Sequence, residues 1–144
     1  MTPALLDYIR RRRACAQGMA IAEQHETLTE AIRACPLEYK LWALGNLMPQ
    51  RIRVGIAAHI VRHTPLADGR TVYDLMTDER SRAALDVCDR YAAGAATDDD
   101  LTAAWAAARD AAASAAWDAA ESWQSAYLDS LDWDSIVNTA MEVA

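Results

Sequence analysis

The stretch TDDDLTAAWAAARDAAASAAWDAAESWQSAY, residues 97–127, decides the fold class. Alanine is its commonest residue and loses the least free energy on entering a helix, and Thr97 followed by aspartates is typical of a helix N-terminus. At about 100° per residue, one stripe of this helix collects apolar residues: Leu101, Trp105, Ala108, Ala112, Ala116, Ala119, Trp123 and Tyr127. Methyl groups fill the middle of the stripe, where a neighbouring helix could approach closely. We therefore predict a long scaffold helix over residues 97–127.

The rest of the sequence also predicts helices. Thr27 and Glu30 form a capping box, and the helix that starts there must end before Pro36. Residues 15–24 continue the helical register of residues 3–13, with a possible break near Gly18, and residues 71–76 fit either a short helix or an extended link. Further helices are expected over residues 37–47, 50–63 and 77–93, the last stopping at Gly94 and forming a hairpin with the scaffold helix. The segment after Tyr127 either continues that helix or forms a separate one.

These patterns predict an all-α protein. The 144 residues have the length of one ordinary domain. No predicted strand interrupts the helical signals. We expect a single all-helical domain over residues 1–144, built as a compact array of about six helices around the long helix rich in alanine and tryptophan.

The sequence contains no run of the roughly 18 apolar residues that a membrane span needs. At the N-terminus, Leu5 and Leu6 precede the cationic run Arg10 to Arg13, which reverses the order of a signal peptide. Both observations predict a cytoplasmic protein without a membrane partner.

Charge is unevenly distributed along the chain, whose net charge is −7. Residues 1–72 carry ten Lys and Arg against six Asp and Glu, a net +4, whereas residues 73–144 carry four against fifteen, a net −11. An acidic chain is a poor general nucleic-acid binder. The acidic half would suit a basic partner protein, and the basic half could present a local anion site.

The sequence motifs do not favour catalysis or a bound cofactor. Cys15, Cys35 and Cys88 lie far apart in the sequence without a CxxC pair, so each is expected to be a small buried hydrophobe. His59 and His63 stand four residues apart but lack the HExxH pattern, so no metal site is predicted. There is also no glycine-rich phosphate loop and no GxSxG elbow. We expect a non-enzymatic protein without a cofactor.

Several arginines, histidines and tryptophans are the candidate binding residues. The arginines would attract an anion and the tryptophans would stack on a ring or anchor a partner, although solvated helix faces and core positions explain the same residues. Trp117 lies about 120° from the stripe of the scaffold helix and needs its own cover. The candidate set is Arg10, Arg13, Trp42, Arg51, Arg53, His59, Arg62, His63 and Trp117.

Two stretches carry a family resemblance. Residues 78–86, DERSRAALD, with residues 91–97, YAAGAAT, resemble immunity proteins of the Imm-5-like type, in which D-P-R-P-R-x-A-[IL]-E precedes a helix ending A-x-G-E-[AI]. An alanine helix with A-A-A-R and A-A-A-W repeats follows in those proteins, as in residues 103–117. Cys35-Pro36 and Leu41-Trp42 are also similar to the C-P-x-x-x-W-x-x-W-L signature of related bacterial and phage proteins. The resemblance implies a protein that binds and neutralises a partner.

Three functional hypotheses follow. The first is an immunity or phage counter-defence protein that sequesters a host or toxin protein. The alternative is a helical sponge that holds a small phosphorylated nucleotide signal in a basic pocket between helices. A third is a structural phage protein whose helices serve oligomerisation, and a homodimer or higher oligomer is possible under each hypothesis.

Overall fold

The computed structural model describes residues 1–108 and 121–143. These two ranges contain ten α-helices and no β-strand, so the all-α prediction is confirmed for them, and the expected count of about six helices is wrong. Within the described residues, residues 3–23 form two helices, and the segment after Asp129 forms a helix of its own. The helices are α1 (Pro3–Arg11), α2 (Ala16–Glu23), α3 (Leu28–Ala34), α4 (Leu37–Leu47), α5 (Gln50–His63), α6 (Val72–Leu75), α7 (Glu79–Ala92), α8 (Asp98–Ala108), α9 (Glu121–Asp129) and α10 (Trp133–Val143).

The chain divides into two compact units. Unit 1 consists of Met1–Pro49 and Ser125–Ala144, and unit 2 consists of Gln50–Gln124. Unit 1 contains α1 to α4 and α10, while unit 2 contains α5 to α8. The single domain expected from the chain length stays a prediction.

In unit 1, the connection between α1 and α2 lies a few residues earlier than the break expected near Gly18. α1 ends at Arg11, and Arg13 takes a left-handed backbone conformation with φ of 65°. Cys15 then caps α2, because its Sγ accepts a hydrogen bond from the backbone N–H of Gly18 at 3.3 Å. Gly18 is therefore part of the first turn of α2.

The start of α3 is held from two sides. Thr27 and Glu30 form the capping box that the sequence predicts. In addition, the carboxylate of Asp134 at the start of α10 accepts hydrogen bonds from the backbone N–H groups of Leu28 at 2.8 Å and Thr29 at 2.9 Å. A carboxylate at a helix N-terminus satisfies otherwise unpaired donors and interacts favourably with the helix dipole. This contact fixes the C-terminal helix against α3.

A buried lysine makes a second polar contact inside unit 1. Lys40 of α4 is 3% exposed. Its Nζ lies 2.6 Å from a carboxylate oxygen of Asp129 and donates a hydrogen bond to Ser125 Oγ at 2.8 Å. Trp133 and Val137 of α10 are fully buried, and the Trp133 indole donates to the backbone oxygen of Leu128 at 2.8 Å. The C-terminal segment is thus part of the core of unit 1.

In unit 2, α7 packs against both α5 and α8. Gly94, with φ of 80°, ends α7 as its sequence position predicts. Thr97 caps α8 in a capping box with Asp100. The buried cluster between these helices consists of Val54, Ala58, Leu85, Cys88, Tyr91, Ala96 and Leu101.

Only the two ends of the expected scaffold helix, α8 and α9, can be compared with the prediction, because residues 109–120 lie outside the described residues. Leu101 is buried as expected. Trp105, one turn later on the expected inner stripe, is 57% exposed, so the prediction for this side chain is wrong. Leu101 reaches the buried cluster of unit 2, whereas Trp105 lies at the edge of an apolar groove formed with α5 and α7.

Candidate functional site

A cavity of about 410 Å³ lies within unit 1 and is the strongest candidate for a functional site. It is bounded by the first four helices, and most of its wall is apolar. Small-molecule sites in proteins are typically concave, mainly apolar and about 300–1,000 Å³ in volume. The lining residues are Ile9, Arg13, Ala14, Cys15, Gly18, Ile21, Ala22, Leu28, Ala31, Ile32, Cys35, Glu38, Tyr39, Trp42, Ala43 and Leu47.

The cavity brings together two of the predicted binding residues, Arg13 and Trp42. Trp42 projects from α4 and is half-buried, while Arg13 is exposed in the connection between α1 and α2. Within the described residues, the Arg13 guanidinium has no hydrogen-bond or ion-pair partner. The aromatic wall and the cation therefore remain available to an occupant of the cavity.

Polar side chains from three elements reach the same wall. Cys15 and Cys35 flank it from the start of α2 and the end of α3, and Tyr39 and Glu38 come from the first turn of α4. The Tyr39 hydroxyl donates a hydrogen bond to Oε1 of Gln17 at 2.8 Å. The cavity thus combines an apolar volume with a small set of titratable groups at its wall.

The expectation that every cysteine is a buried hydrophobe is wrong for Cys15, which is exposed, and Cys35 is only partly buried; Cys88 is buried as predicted. Cys15 is the N-cap of α2 and therefore lies outside the helix that it begins, where its side chain is exposed. The hydrogen bond from the Gly18 N–H lowers the pKa of the Cys15 thiol, and this effect outweighs the opposing effect of burial. Burial raises the pKa values of Cys35 and Cys88.

The predicted arginines of unit 2 are already engaged by the protein. Arg62 lies 2.6 Å from Asp86 and 2.9 Å from Asp89, and its guanidinium stacks over the ring of Tyr73. Arg51 donates to the backbone oxygen of Tyr91 at 2.9 Å and stacks over the same residue's ring. An anion at Arg62 would have to displace two carboxylates.

Arg53 and the two histidines occupy the same helix, α5. Arg53 is half-buried. The rings of His59 and His63 lie 4.3 Å apart, and His59 stacks on Trp123 at 6.3 Å between ring centroids. Burial lowers the pKa of His59, as does the neighbouring His63. The histidine pair is therefore part of an aromatic cluster within unit 2.

The remaining predicted residues are Arg10 and Trp117. Arg10 makes an exposed ion pair with Glu23 at 3.5 Å, which links α1 to α2. Trp117 lies outside the described residues. The predicted set thus falls into two groups, with Arg10, Arg13 and Trp42 in unit 1 and the residues of α5 in unit 2.

Comparison with protein families, with characterised proteins and with solved structures gives no match for this chain. The resemblance to Imm-5-like immunity proteins therefore stays a prediction. In the part of the chain that the structure describes, no group of three or more histidine, cysteine or carboxylate side chains is placed to hold a metal ion. None of the described helices is both long and apolar enough to cross a membrane.

Sequence reasoning missed Cys15 and Tyr39 as site residues. The sequence contains one usable signal, which is the spacing of Cys15 and Gly18. An N-cap side chain accepts a hydrogen bond from a backbone N–H two or three residues later, and Gly18 follows Cys15 by three residues. Cysteine is not among the common cap residues, so this pattern does not by itself predict a helix start. The approach of Tyr39 to Cys15 depends on how α4 packs against α2 and has no local signature.

Proposed function

We propose that the protein is a non-enzymatic binding protein that neutralises a partner by sequestration, with the cavity of unit 1 as its contact site. The observation that carries the proposal is the cavity itself, which offers an apolar volume of about 410 Å³ next to Trp42 and Arg13. Aromatic and arginine side chains at the edge of an apolar pocket are frequent anchors of protein interfaces. The partner would insert an apolar side chain between α1 and α4.

The chemistry of the wall favours binding over turnover. The lining residues include one carboxylate, Glu38, and no histidine. Hydrolases and transferases that use a cysteine nucleophile activate it with an adjacent base, most often histidine. The wall thus supplies shape and apolar contact without a nucleophile and base pair.

Four carboxylates of the acidic half already have partners inside the protein. Asp86 and Asp89 bind Arg62, Asp129 binds Lys40, and Asp134 caps α3. Each of these carboxylates is used inside its own unit. Affinity would therefore depend mainly on apolar contact in the cavity, and an immunity or counter-defence role is the biological setting that we propose for it.

Truncation of Trp42 tests the contact site. The purified chain should capture one stoichiometric protein from lysate of the natural host, and the isolated partner should then bind in calorimetry. Trp42→Ala should weaken its affinity at least tenfold, which corresponds to about 1.4 kcal/mol. Trp105→Ala, which removes an exposed tryptophan of unit 2, is the matched control and should bind like the wild type. Equal binding by wild type and Trp42→Ala would exclude the cavity as the contact site.

A second candidate function is the sequestration of a small phosphorylated nucleotide. The observation that favours it is the presence of Arg13 and Trp42 at one cavity, where a base could stack on the indole and a phosphate could pair with the guanidinium. Cyclic nucleotides and ADP-ribose derivatives at 100 times their dissociation constant should raise the melting temperature by roughly 5–10 °C. Arg13→Ala should abolish the shift and Arg70→Ala should leave it unchanged. A shift that survives in Arg13→Ala would place the ligand elsewhere.

A further inference from the structure

Arg13 has a backbone conformation that its position in the chain does not favour. The residue follows α1 with φ of 65°, in the left-handed region where helices usually end on glycine. A side chain with a Cβ destabilises this conformation, so arginine costs stability here that glycine would not cost. The helix dipole does not account for it, since Arg10 and Arg11 already place positive charge in the last turn of α1. Residues held in such conformations cluster at ligand-binding sites.

The Arg13 side chain belongs to the wall of the cavity of unit 1. It is exposed, and among the described residues its guanidinium has no hydrogen-bond or ion-pair partner. The three arginines that precede it, Arg10, Arg11 and Arg12, each contact another side chain of the protein. In the described part of the chain, Arg13 is therefore the member of this run whose charge is left for a ligand.

Glu38 is the other charged residue among the described residues that line the cavity. It is exposed in the first turn of α4, where a carboxylate interacts favourably with the N-terminal end of the helix dipole. Within the described residues, Glu38 and Arg13 do not pair with each other. Because the position of Glu38 in its helix accounts for its charge, the guanidinium of Arg13 is the group that points to a ligand, and an anionic one.

The rest of the cavity wall is mostly apolar, with isoleucine side chains from three helices and the indole of Trp42. The Tyr39 hydroxyl donates its proton to Oε1 of Gln17 at 2.8 Å, so this proton is already used inside the protein. A polar ligand would leave its own hydrogen-bonding groups unpaired against such a wall, which is unfavourable. An alkyl chain has no such groups and gains from leaving water. The cavity therefore suits an apolar tail that ends in one negative charge.

We propose that the cavity of unit 1 binds an aliphatic carboxylate of medium length, with the alkyl chain against the apolar wall and the carboxylate at the Arg13 guanidinium. Arginine matches a carboxylate through two parallel N–H···O hydrogen bonds. The inference rests on the proposed function in one respect, namely that the cavity accepts an apolar occupant. It adds the chemical class of a small ligand and the residue that recognises its charged end.

The test compares three probes that share one alkyl chain and differ in the end group: decanoate, decan-1-ol and decyltrimethylammonium. Isothermal titration calorimetry with the full chain, at probe concentrations below micelle formation, measures each dissociation constant. We expect decanoate to bind at least tenfold more tightly than decan-1-ol, and the ammonium probe to bind most weakly. Hexanoate should bind at least tenfold more weakly than decanoate, because its shorter chain leaves part of the apolar wall uncovered.

Arg13→Gly removes the cation and relieves the backbone at the same time. It should weaken decanoate binding at least tenfold, leave decan-1-ol binding unchanged and raise the urea concentration at which the protein unfolds. A loss of binding in a more stable protein is not a consequence of misfolding. Arg13→Lys keeps the charge and should retain a preference for decanoate over decan-1-ol. Arg10→Ala, which removes an arginine already paired with Glu23, is the matched control and should bind like the wild type.

Equal affinity of the wild-type chain for decanoate and decan-1-ol would overturn the inference, and this comparison needs no variant. A preference for decanoate that survives in Arg13→Gly would also overturn it, and so would tightest binding of the ammonium probe, which would assign recognition to Glu38. Partner binding that is lost in Trp42→Ala, together with no preference for decanoate, would leave the proposed contact site in place and remove the carboxylate ligand. Decanoate binding by a chain that captures no partner protein would do the reverse, so the two proposals can fail separately.

Discussion

Two glycines within helices show how differently the two units are packed. A Cβ added to Gly55 of α5 would lie 2.8 Å from the Cβ of Ala92 on α7, closer than two carbon atoms can approach without a shift of the backbone. A Cβ added to Gly45 of α4 would have no neighbour within 4 Å. Unit 2 thus brings two helices to a distance that only glycine permits, whereas unit 1 leaves space around α4 and encloses a cavity.

This difference in packing indicates where a binding site can form with little loss of stability. Unit 1 leaves the volume between α1 and α4 open and connects its C-terminal segment through polar contacts of the buried Lys40 and the partly buried Asp134. Polar contacts fix the geometry of helices without filling the space between them. Unit 2 depends instead on close helix packing, so its candidate residues are engaged in internal contacts.

The largest change in the free energy of unfolding is expected when the buried cation of unit 1, Lys40, is removed. Lys40→Ala removes the partner of Asp129 and Ser125 and should lower the free energy of unfolding by about 3 kcal/mol, because a partly buried charge loses its counter-ion. Urea denaturation followed by circular dichroism measures the change. Lys40→Met, which keeps the apolar stem, should cost less than Lys40→Ala.

Arg70→Ala is the matched control for Lys40. Arg70 pairs with Asp68 on the surface, where both side chains are more than half exposed. Exposed ion pairs contribute little because water screens them and the side chains lose entropy. We expect no measurable change for Arg70→Ala, and an equally small change for Lys40→Ala would contradict a structural role of the buried pair.

The next largest effect concerns the two glycines and differs in sign between the units. Gly55→Ala should destabilise the protein by about 1–2 kcal/mol, because the forced separation of α5 and α7 outweighs the better helix propensity of alanine. Gly45→Ala should stabilise it by about 0.5–1 kcal/mol, because the new methyl group meets no neighbour. The same denaturation experiment measures both. Changes of one sign in the two variants would show that the packing difference is not real.

Local chemistry made most helix boundaries predictable. The capping box of Thr27 and Glu30, the stop at Gly94 and the prolines before α4 and α5 each act within a few residues of the boundary that they set. Such signals depend on backbone hydrogen bonds that close over one turn. The sequence predicts the break between α1 and α2 a few residues too late, because Cys15 caps α2 and cysteine rarely caps helices.

Packing between distant residues was not predictable from periodicity. The exposure of Trp105 is an example, since helical spacing placed it on the same face as buried Leu101. Periodicity gives the face of a helix but not where the neighbouring helix ends. The candidate site is only partly predictable for the same reason. The sequence indicates Arg13 and Trp42 as separate candidates, and the cavity that joins them to Cys15 exists only after α1 to α4 have packed.

The smallest expected effect concerns the carboxylate that caps α3. Burial disfavours the charge on Asp134, but the hydrogen bonds from Thr29 and Leu28 outweigh it and lower the pKa of this carboxyl. Because the folded-state pKa lies below the unfolded value of about 3.9, the carboxylate stabilises the fold fully above that pH, and the contribution is lost as pH falls through the folded-state pKa.

Asp134→Asn should therefore cost about 1 kcal/mol at pH 7. The difference from the wild type should shrink as the pH falls below about 4, because protonation then removes the charge from the wild type as well. Urea denaturation at pH 7 and pH 3 measures it, and a difference that stays constant across this range would show that neutral hydrogen bonds, and not the charge of Asp134, hold α10 to α3.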